Sequence, residues 1–299
     1  MIIRLTTSID VPLPFDVAGL LWFLRLRAVP GVEIVTDTGY RRTVRLPHGP
    51  AVVGLQFTAP GTVAAQLALS DPADAGPALE RCRRLLDADA DPTAVDTLLA
   101  ADPALRERVR QIPGIRVPGV IDGPEIMIRT ILGQQISVAA ARTGAAKLTV
   151  RAGTLMPAEL AEPGLTRLFI TPAELAGLEY ADIGGPRRRA DTLLAAARDL
   201  ASGALDVHAD REPAGLIAEL CARPGIGPWT AGYLAMRVLG RHDELLTGDL
   251  ALRAGARNLG LPDTPRDLAS YGTRWAPFRS YAGQHLWRAA YLPAVATSS

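Results

Sequence analysis

Hydrophobic and polar positions follow two different rhythms along this chain. Ile3-Arg4-Leu5-Thr6-Thr7 alternates and predicts a strand, which Pro12 and Pro14 interrupt. Phe15 to Arg27 then carries Leu20, Leu21 and Leu24 at helical spacing, and Pro30-Gly31 closes that helix. The β-rich runs Val32–Thr36, Tyr40–Leu46 and Ala51–Phe57 follow, separated by the turn chemistry of Asp37-Thr38-Gly39 and Pro47-His48-Gly49-Pro50. Thr62 to Leu69 reads as a further strand. A small antiparallel sheet with a helix on one face is the expectation for this region.

From about Asp74 the rhythm becomes helical and stays so. Proline-opened, glycine-closed segments are predicted at Pro77–Asp87, Thr93–Ala101, Pro103–Gln111 and Pro124–Val150. They continue at Arg187–Ala201, Pro213–Ala222, Pro228–Leu239 and Asp249–Leu259, with Leu155 to Thr171 as a connecting loop. The fold class expected is therefore α+β. A small α/β unit over residues 1–88 precedes a larger all-α unit over 89–299.

Composition narrows the chemistry. The 299 residues carry a formal net charge of +1, so no global basic footprint announces a polyanion partner, and any such case rests on local features. No apolar run approaches the roughly 20 residues that span a bilayer. With no signal-like opening, a cytoplasmic protein is expected. Two cysteines, Cys82 and Cys221, cannot supply a four-thiolate centre, and the 4 histidines show no ligand spacing, so no protein-bound metal is expected. Lys147 is the sole lysine.

The most informative stretch is Leu220-Cys221-Ala222-Arg223-Pro224-Gly225-Ile226-Gly227-Pro228-Trp229-Thr230-Ala231. One helix runs into Pro-Gly-Ile-Gly and another restarts at Pro228. Gly225 and Gly227 permit backbone that side chains forbid, Ile226 can tuck between the helices, and the exposed amides at the new N-terminus suit an anion. A tight helical hairpin packed in a core explains the glycines equally well. Downstream, Thr247-Gly248-Asp249-Leu250 opens another helix with Asp249 at or near its N-cap. By itself such an aspartate reads first as a cap, worth about 1 kcal/mol.

Taken together, the hairpin, Trp229-Thr230-Ala231 and the helix-opening Asp249 resemble the helix-hairpin-helix glycosylase superfamily. Within it the chain is most similar to the bacterial DNA-3-methyladenine glycosylase II family. Gly123-Pro124-Glu125 leading to Arg129-Thr130-Ile131-Leu132-Gly133-Gln134-Gln135-Ile136-Ser137, the Leu178–Gly203 stretch, and Arg274 to Tyr281 with His285-Leu286-Trp287 carry the resemblance further. It spans nearly the whole chain, and the N-terminal α/β region fits the family's extra domain.

The resemblance implies an enzyme that flips an alkylated base of the 3-methyladenine type out of duplex DNA and hydrolyses its glycosidic bond. Asp249 matches the essential carboxylate, which stabilises positive charge on the sugar as the base leaves. Trp229 and Trp287 match pocket aromatics, with Tyr233 a turn beyond Trp229; electron-rich faces favour a cationic base. All three also read as ordinary core residues. Gly225, Ile226, Gly227 and Thr230 would meet a phosphate, and Gln134 and Gln135 would probe the duplex. The family's wedge is often apolar; the position matching it is Gln135, which would make a polar plug, and the two glutamines also read as a solvated pair at a helix start. Arg253, Arg257 and the Arg187-Arg188-Arg189 run are further candidates for phosphate contact, or simply solvated faces. Trp22, Trp275 and Phe278 read as packing, with Trp275 able to border the site.

Bifunctional relatives carry a lysine in the helix after the hairpin, where this chain has Trp229, so hydrolysis without lyase activity is expected. No cofactor is implied beyond a monovalent cation that the superfamily can hold on hairpin carbonyls. A monomer acting on double-stranded DNA is expected. A methyl-accepting domain with reactive cysteines, fused to some relatives, is not recognisable here. Competing readings are a glycosylase for other damaged bases on the same scaffold, a non-catalytic hairpin DNA binder, and a plain helical protein.

Overall fold

In the computed structural model, which describes residues 1–291, the chain opens with β1 (Ile3–Asp10), α1 (Val17–Arg27), β2 (Glu33–Val35), β3 (Gly39–Leu46), β4 (Gly49–Ala59) and β5 (Thr62–Leu69). The strands form one antiparallel sheet in the order β1-β5-β4-β3-β2. Next come α2 (Ala75–Leu86), α3 (Pro92–Ala100), α4 (Pro103–Gln111), α5 (Gly123–Leu132) and α6 (Val138–Ala152). Two short helices, α7 (Pro172–Ala176) and α8 (Tyr180–Ile183), lead to α9 (Arg187–Ser202), α10 (Pro213–Cys221) and α11 (Pro228–Val238). The chain ends through α12 (Leu250–Asn258), α13 (Pro265–Tyr271) and α14 (Arg279–Ala289).

The sheet is covered on both faces, which the alternation alone did not predict. On one face Ala51, Val53 and Leu55 of β4 pack with α1 and α2, through Leu20, Leu21, Leu85 and Leu86. On the other, Val52 and Ala68 meet Met156, Leu160, Leu165 and Leu168 from the connecting loop. The period of two explains this: neighbouring β4 residues point to opposite sides, and both sides find apolar partners.

The helical region holds two further cores. One gathers α5, α6, α9, α10 and α11. The other gathers α3, α4, α12, α13 and α14, so residues 92–111 pack with the last helices rather than with their neighbours in sequence. Helix α11 serves both, giving Ala231, Leu234 and Val238 to the first and Met236 to the second.

The single helical run expected over Pro124–Val150 is two helices. Between α5 and α6 the backbone breaks at Gly133–Ser137, with Gln135 in the left-handed region at φ 61°. Ser137 then caps α6 by accepting from Ala140 N.

A charged network ties the sheet to α5. Glu33 and Glu125 face Arg42 and Arg129, with Arg129 2.9 Å from Glu33 and 2.8 Å from Glu125. Tyr40 donates to Glu33 at 2.7 Å. All four charges lie out of water or nearly so, and only mutual pairing makes that tolerable.

Candidate active site

The hairpin is built by α10, α11 and the turn between them. Gly225 has φ +82°, and a Cβ there would lie 2.0 Å from Thr192 Oγ1 of α9, so both conformation and space demand glycine. Ile226 is buried in the first helical core, as its place between two helices requires. Gly227 is different. Its φ of −100° suits any residue and a Cβ would meet nothing within 4 Å. The expected need for unusual backbone therefore holds at Gly225 and not at Gly227. No side chain caps α11, and Pro228 at its first position has no N–H to offer. The amides of its first turn have no side-chain acceptor among the described residues, and an uncapped helix start favours an anion.

Asp249 is the N-cap of α12 and accepts from Leu252 N at 2.8 Å through Oδ1. It does more than cap. Trp229 Nε1 donates to its Oδ2 at 3.0 Å, and Trp287 Nε1 donates to its Oδ1 at 3.0 Å. The carboxylate is thus fixed from α11 and α14 as well as its own helix, while remaining partly accessible. Tyr233 stacks on Trp229 with centroids 5.4 Å apart and planes 8° from parallel. All three aromatic rings are half-buried, neither sealed in the core nor free in solvent. The structure therefore brings Asp249, Trp229, Tyr233 and Trp287 into one place.

Other expected residues fall elsewhere. Gln134 turns inward: its Nε2 donates to Gly225 O at 3.1 Å and Thr230 Oγ1 at 3.2 Å, bracing the hairpin from the α5–α6 turn. Thr230 is itself buried, which removes its hydroxyl from any exposed phosphate. Gln135 stands exposed at the turn, next to the exposed apolar Ile136. Arg253 donates to Asp263 O, and Arg257 pairs with the Asp263 carboxylate at 2.6 Å, so both serve the loop after α12. Arg189 reaches Gln134 O at 3.3 Å, whereas Arg187 pairs with Asp191 and Arg188 is exposed. Trp275 is fully buried and donates to Asp102, the α4 N-cap, at 2.8 Å; it does not border the site.

Two residues behind the pocket escaped the sequence reading. Arg237 donates from NH1 to Tyr233 Oη at 2.6 Å, and its guanidinium lies 4.8 Å from the Phe23 ring of α1. Arg237 follows Tyr233 by one helical turn, a spacing that was the only available signal. Phe23 gave none, because nothing local joins α1 to α11.

A carboxylate at a helix N-terminus, held by indole donors beside a Gly/Pro hairpin whose second helix is uncapped, defines a helix-hairpin-helix protein with an aromatic-walled acid site. The comparisons agree with that class. A family model described as the AlkA N-terminal domain matches residues 6–122. The DNA-3-methyladenine glycosylase 2 of Escherichia coli is 34% identical over 92% of this chain and 94% of its own length. The chain belongs to the DNA-3-methyladenine glycosylase 2 family. It is 42% identical, over 94% of its length, to a Mycobacterium tuberculosis protein named a probable bifunctional transcriptional activator/DNA repair enzyme AlkA, of which it spans 57%. A 3-methyladenine DNA-glycosylase from Archaeoglobus fulgidus shares the fold with a TM-score of 0.82 at 19% identity, covering 97% of this chain and 100% of that one.

Proposed function

We propose that the chain is a DNA glycosylase that hydrolyses the glycosidic bond of alkylated bases of the 3-methyladenine type and leaves an abasic site. The observation that carries this reading is the carboxylate of Asp249, oriented by two indole N–H groups and a backbone amide and still open to a ligand. As the base departs, positive charge develops on the sugar. A carboxylate already fixed in a partly dehydrated setting stabilises that charge without reorganising, and it can orient the attacking water. The base must leave the stack to reach it, and the rings of Trp229, Tyr233 and Trp287 offer stacking faces suited to an electron-poor purine. The amides around Gly227 hold a backbone phosphate, a contact that reads no sequence and needs no strongly basic protein.

The reaction is monofunctional in this proposal. Schiff-base chemistry needs an amine at the sugar, and the sole lysine, Lys147, lies exposed on α6, which packs on α1, α5, α7 and α8. A monovalent cation on the hairpin is a secondary proposal. The carbonyls of Arg223 and Gly225 already accept from Ile226 N and Gln134, and no step of the chemistry is routed through the ion. A monomer working in the cytoplasm fits these features, and no helix among the described residues is long and apolar enough to cross a membrane.

The test incubates methylated duplex DNA with wild type and Asp249→Asn, and assays free bases and strand nicks separately. Release of 3-methyladenine without nicking by wild type, with DNA binding but no release by the variant, is expected. Equal release by both removes Asp249 from the mechanism. Binding without release by either protein favours a hairpin binder over an enzyme.

A further inference from the structure

Behind the aromatic stack lies a buried arginine that no carboxylate pairs within 4 Å among the described residues. Arg237 is 4% exposed. Its donors go to neutral oxygens: Nε to Pro118 O, NH2 to Gly119 O at 2.9 Å, and NH1 to the hydroxyl of Tyr233 at 2.6 Å. Its guanidinium also lies 4.8 Å from the centre of the Phe23 ring and 5.4 Å from that of Tyr233. Burying a charge without a counter-charge is costly, so an arginine held this way needs a purpose other than stability. The bond it makes to Tyr233 has a definite sense. Arginine only donates, so the phenol oxygen accepts, and its own proton must go elsewhere. Among the described residues nothing accepts that proton.

Resting on the glycosylase reading of the pocket, we propose that Arg237 is a positioning residue. Acting through Tyr233, it fixes the phenol against Trp229 and leaves the hydroxyl proton free for donation to the extrahelical base. The pocket would then hold two complementary groups: Asp249, which serves the sugar, and the Tyr233 hydroxyl, which serves the leaving base. A cationic alkylated purine departs as a neutral molecule and needs no such donor. A neutral damaged purine departs with developing negative charge, and a hydrogen bond that strengthens as this charge grows lowers the barrier.

Charge around the phenol agrees. Burial works to raise the Tyr233 hydroxyl, but the guanidiniums of Arg237 and Arg27 outweigh it and hold it below the ordinary tyrosine range, with a smaller contribution from Arg129. Arg129 comes from α5 and is already paired with Glu33 and Glu125, whereas Arg27 comes from α1 and donates to Phe23 O. The tuning therefore draws on α1, α5 and α11 together. It gives the N-terminal unit a part in the pocket through Arg27 and Phe23.

The experiment has two readouts on the same proteins: wild type, Tyr233→Phe, Arg237→Gln and Arg237→Lys. An ultraviolet titration of the 6 tyrosines should show one phenol ionising early, and the Tyr233→Phe difference assigns it. That titration should move up in Arg237→Gln, where burial acts with less opposition, and return part of the way in Arg237→Lys. Single-turnover release of hypoxanthine, a neutral purine, should fall about 10- to 100-fold in Tyr233→Phe and Arg237→Gln. Release of cationic 7-methylguanine should change far less. A Tyr233 titration indifferent to Arg237, or equal losses for the two bases, overturns the proposal. A wild type that releases neither base overturns the glycosylase reading itself, while the titration, which needs no turnover, still decides the Arg237–Tyr233 link.

Discussion

The two hairpin glycines look alike in sequence, and the structure predicts opposite consequences for replacing them. In Gly225→Ala the backbone must hold φ +82°, which costs an L-residue about 1–2 kcal/mol. The new Cβ would also lie 2.0 Å from Thr192 Oγ1 and 2.8 Å from its Cγ2, so α9 must move, an overpacking cost of about 1–3 kcal/mol. The sum is about 2–5 kcal/mol, or a fall in Tm of about 5 °C or more for a chain of this size. Thr192→Ala removes the two closest atoms but keeps its Cβ at 2.9 Å, so it should restore part of the overpacking cost and none of the φ cost. Gly227→Ala meets neither obstacle, since its φ is −100° and the space is open. It should cost about 1 kcal/mol or less of stability, the difference between Gly and Ala at an N-cap. Its methyl would instead occupy space that a phosphate needs, so DNA affinity should fall about tenfold. Thermal unfolding and fluorescence anisotropy on an abasic duplex give both numbers for all four proteins. A Gly225→Ala variant as stable as wild type, or a Gly227→Ala variant binding DNA as tightly, refutes the division of labour.

Three further outcomes are expected. Burial, with Arg108 and Arg288 nearby, depresses His285 to about 3 and keeps it neutral when folded. The unfolded chain takes up the proton below about 6.5, so stability falls as pH drops through that value, by about 2 kcal/mol at pH 5; urea unfolding should show a smaller acid loss in His285→Gln. Trp287→Phe keeps an aromatic face but removes the N–H bond to Asp249 Oδ1, so single-turnover release should drop about 10- to 100-fold with DNA affinity nearly unchanged. An unaltered rate would mean that the indole donor does not matter. Glu125→Ala leaves Arg42 and Arg129 short of a partner in the buried network and should cost about 3–5 kcal/mol, measured by denaturant unfolding. A loss below about 1 kcal/mol would show that water replaces the carboxylate there.

Local pattern determined much of this protein without help from the fold. Alternation and turn residues located β3, β4 and β5, because a strand's side chains declare their faces every second residue. Capping chemistry put Asp249 at the start of a helix, and i to i+4 spacing put Tyr233 a turn from Trp229, since both relations lie within a few residues. What no local pattern could decide was which distant groups meet. Trp287 reaches Asp249 from 38 residues away, Arg129 pairs with Glu33 across 96, and Trp275 is claimed by Asp102 across 173. Those pairings depend on how helices cross, and crossing is fixed by the packing of whole apolar faces. Gln134 shows the difference most plainly. The resemblance put it at a loop facing the duplex, while the periodicity ran one helix through it. Only the packing of α5 against α11 decided that its amide would brace Gly225 and Thr230, because the part-buried carbonyl and hydroxyl there found in Gln134 the side-chain donor in reach.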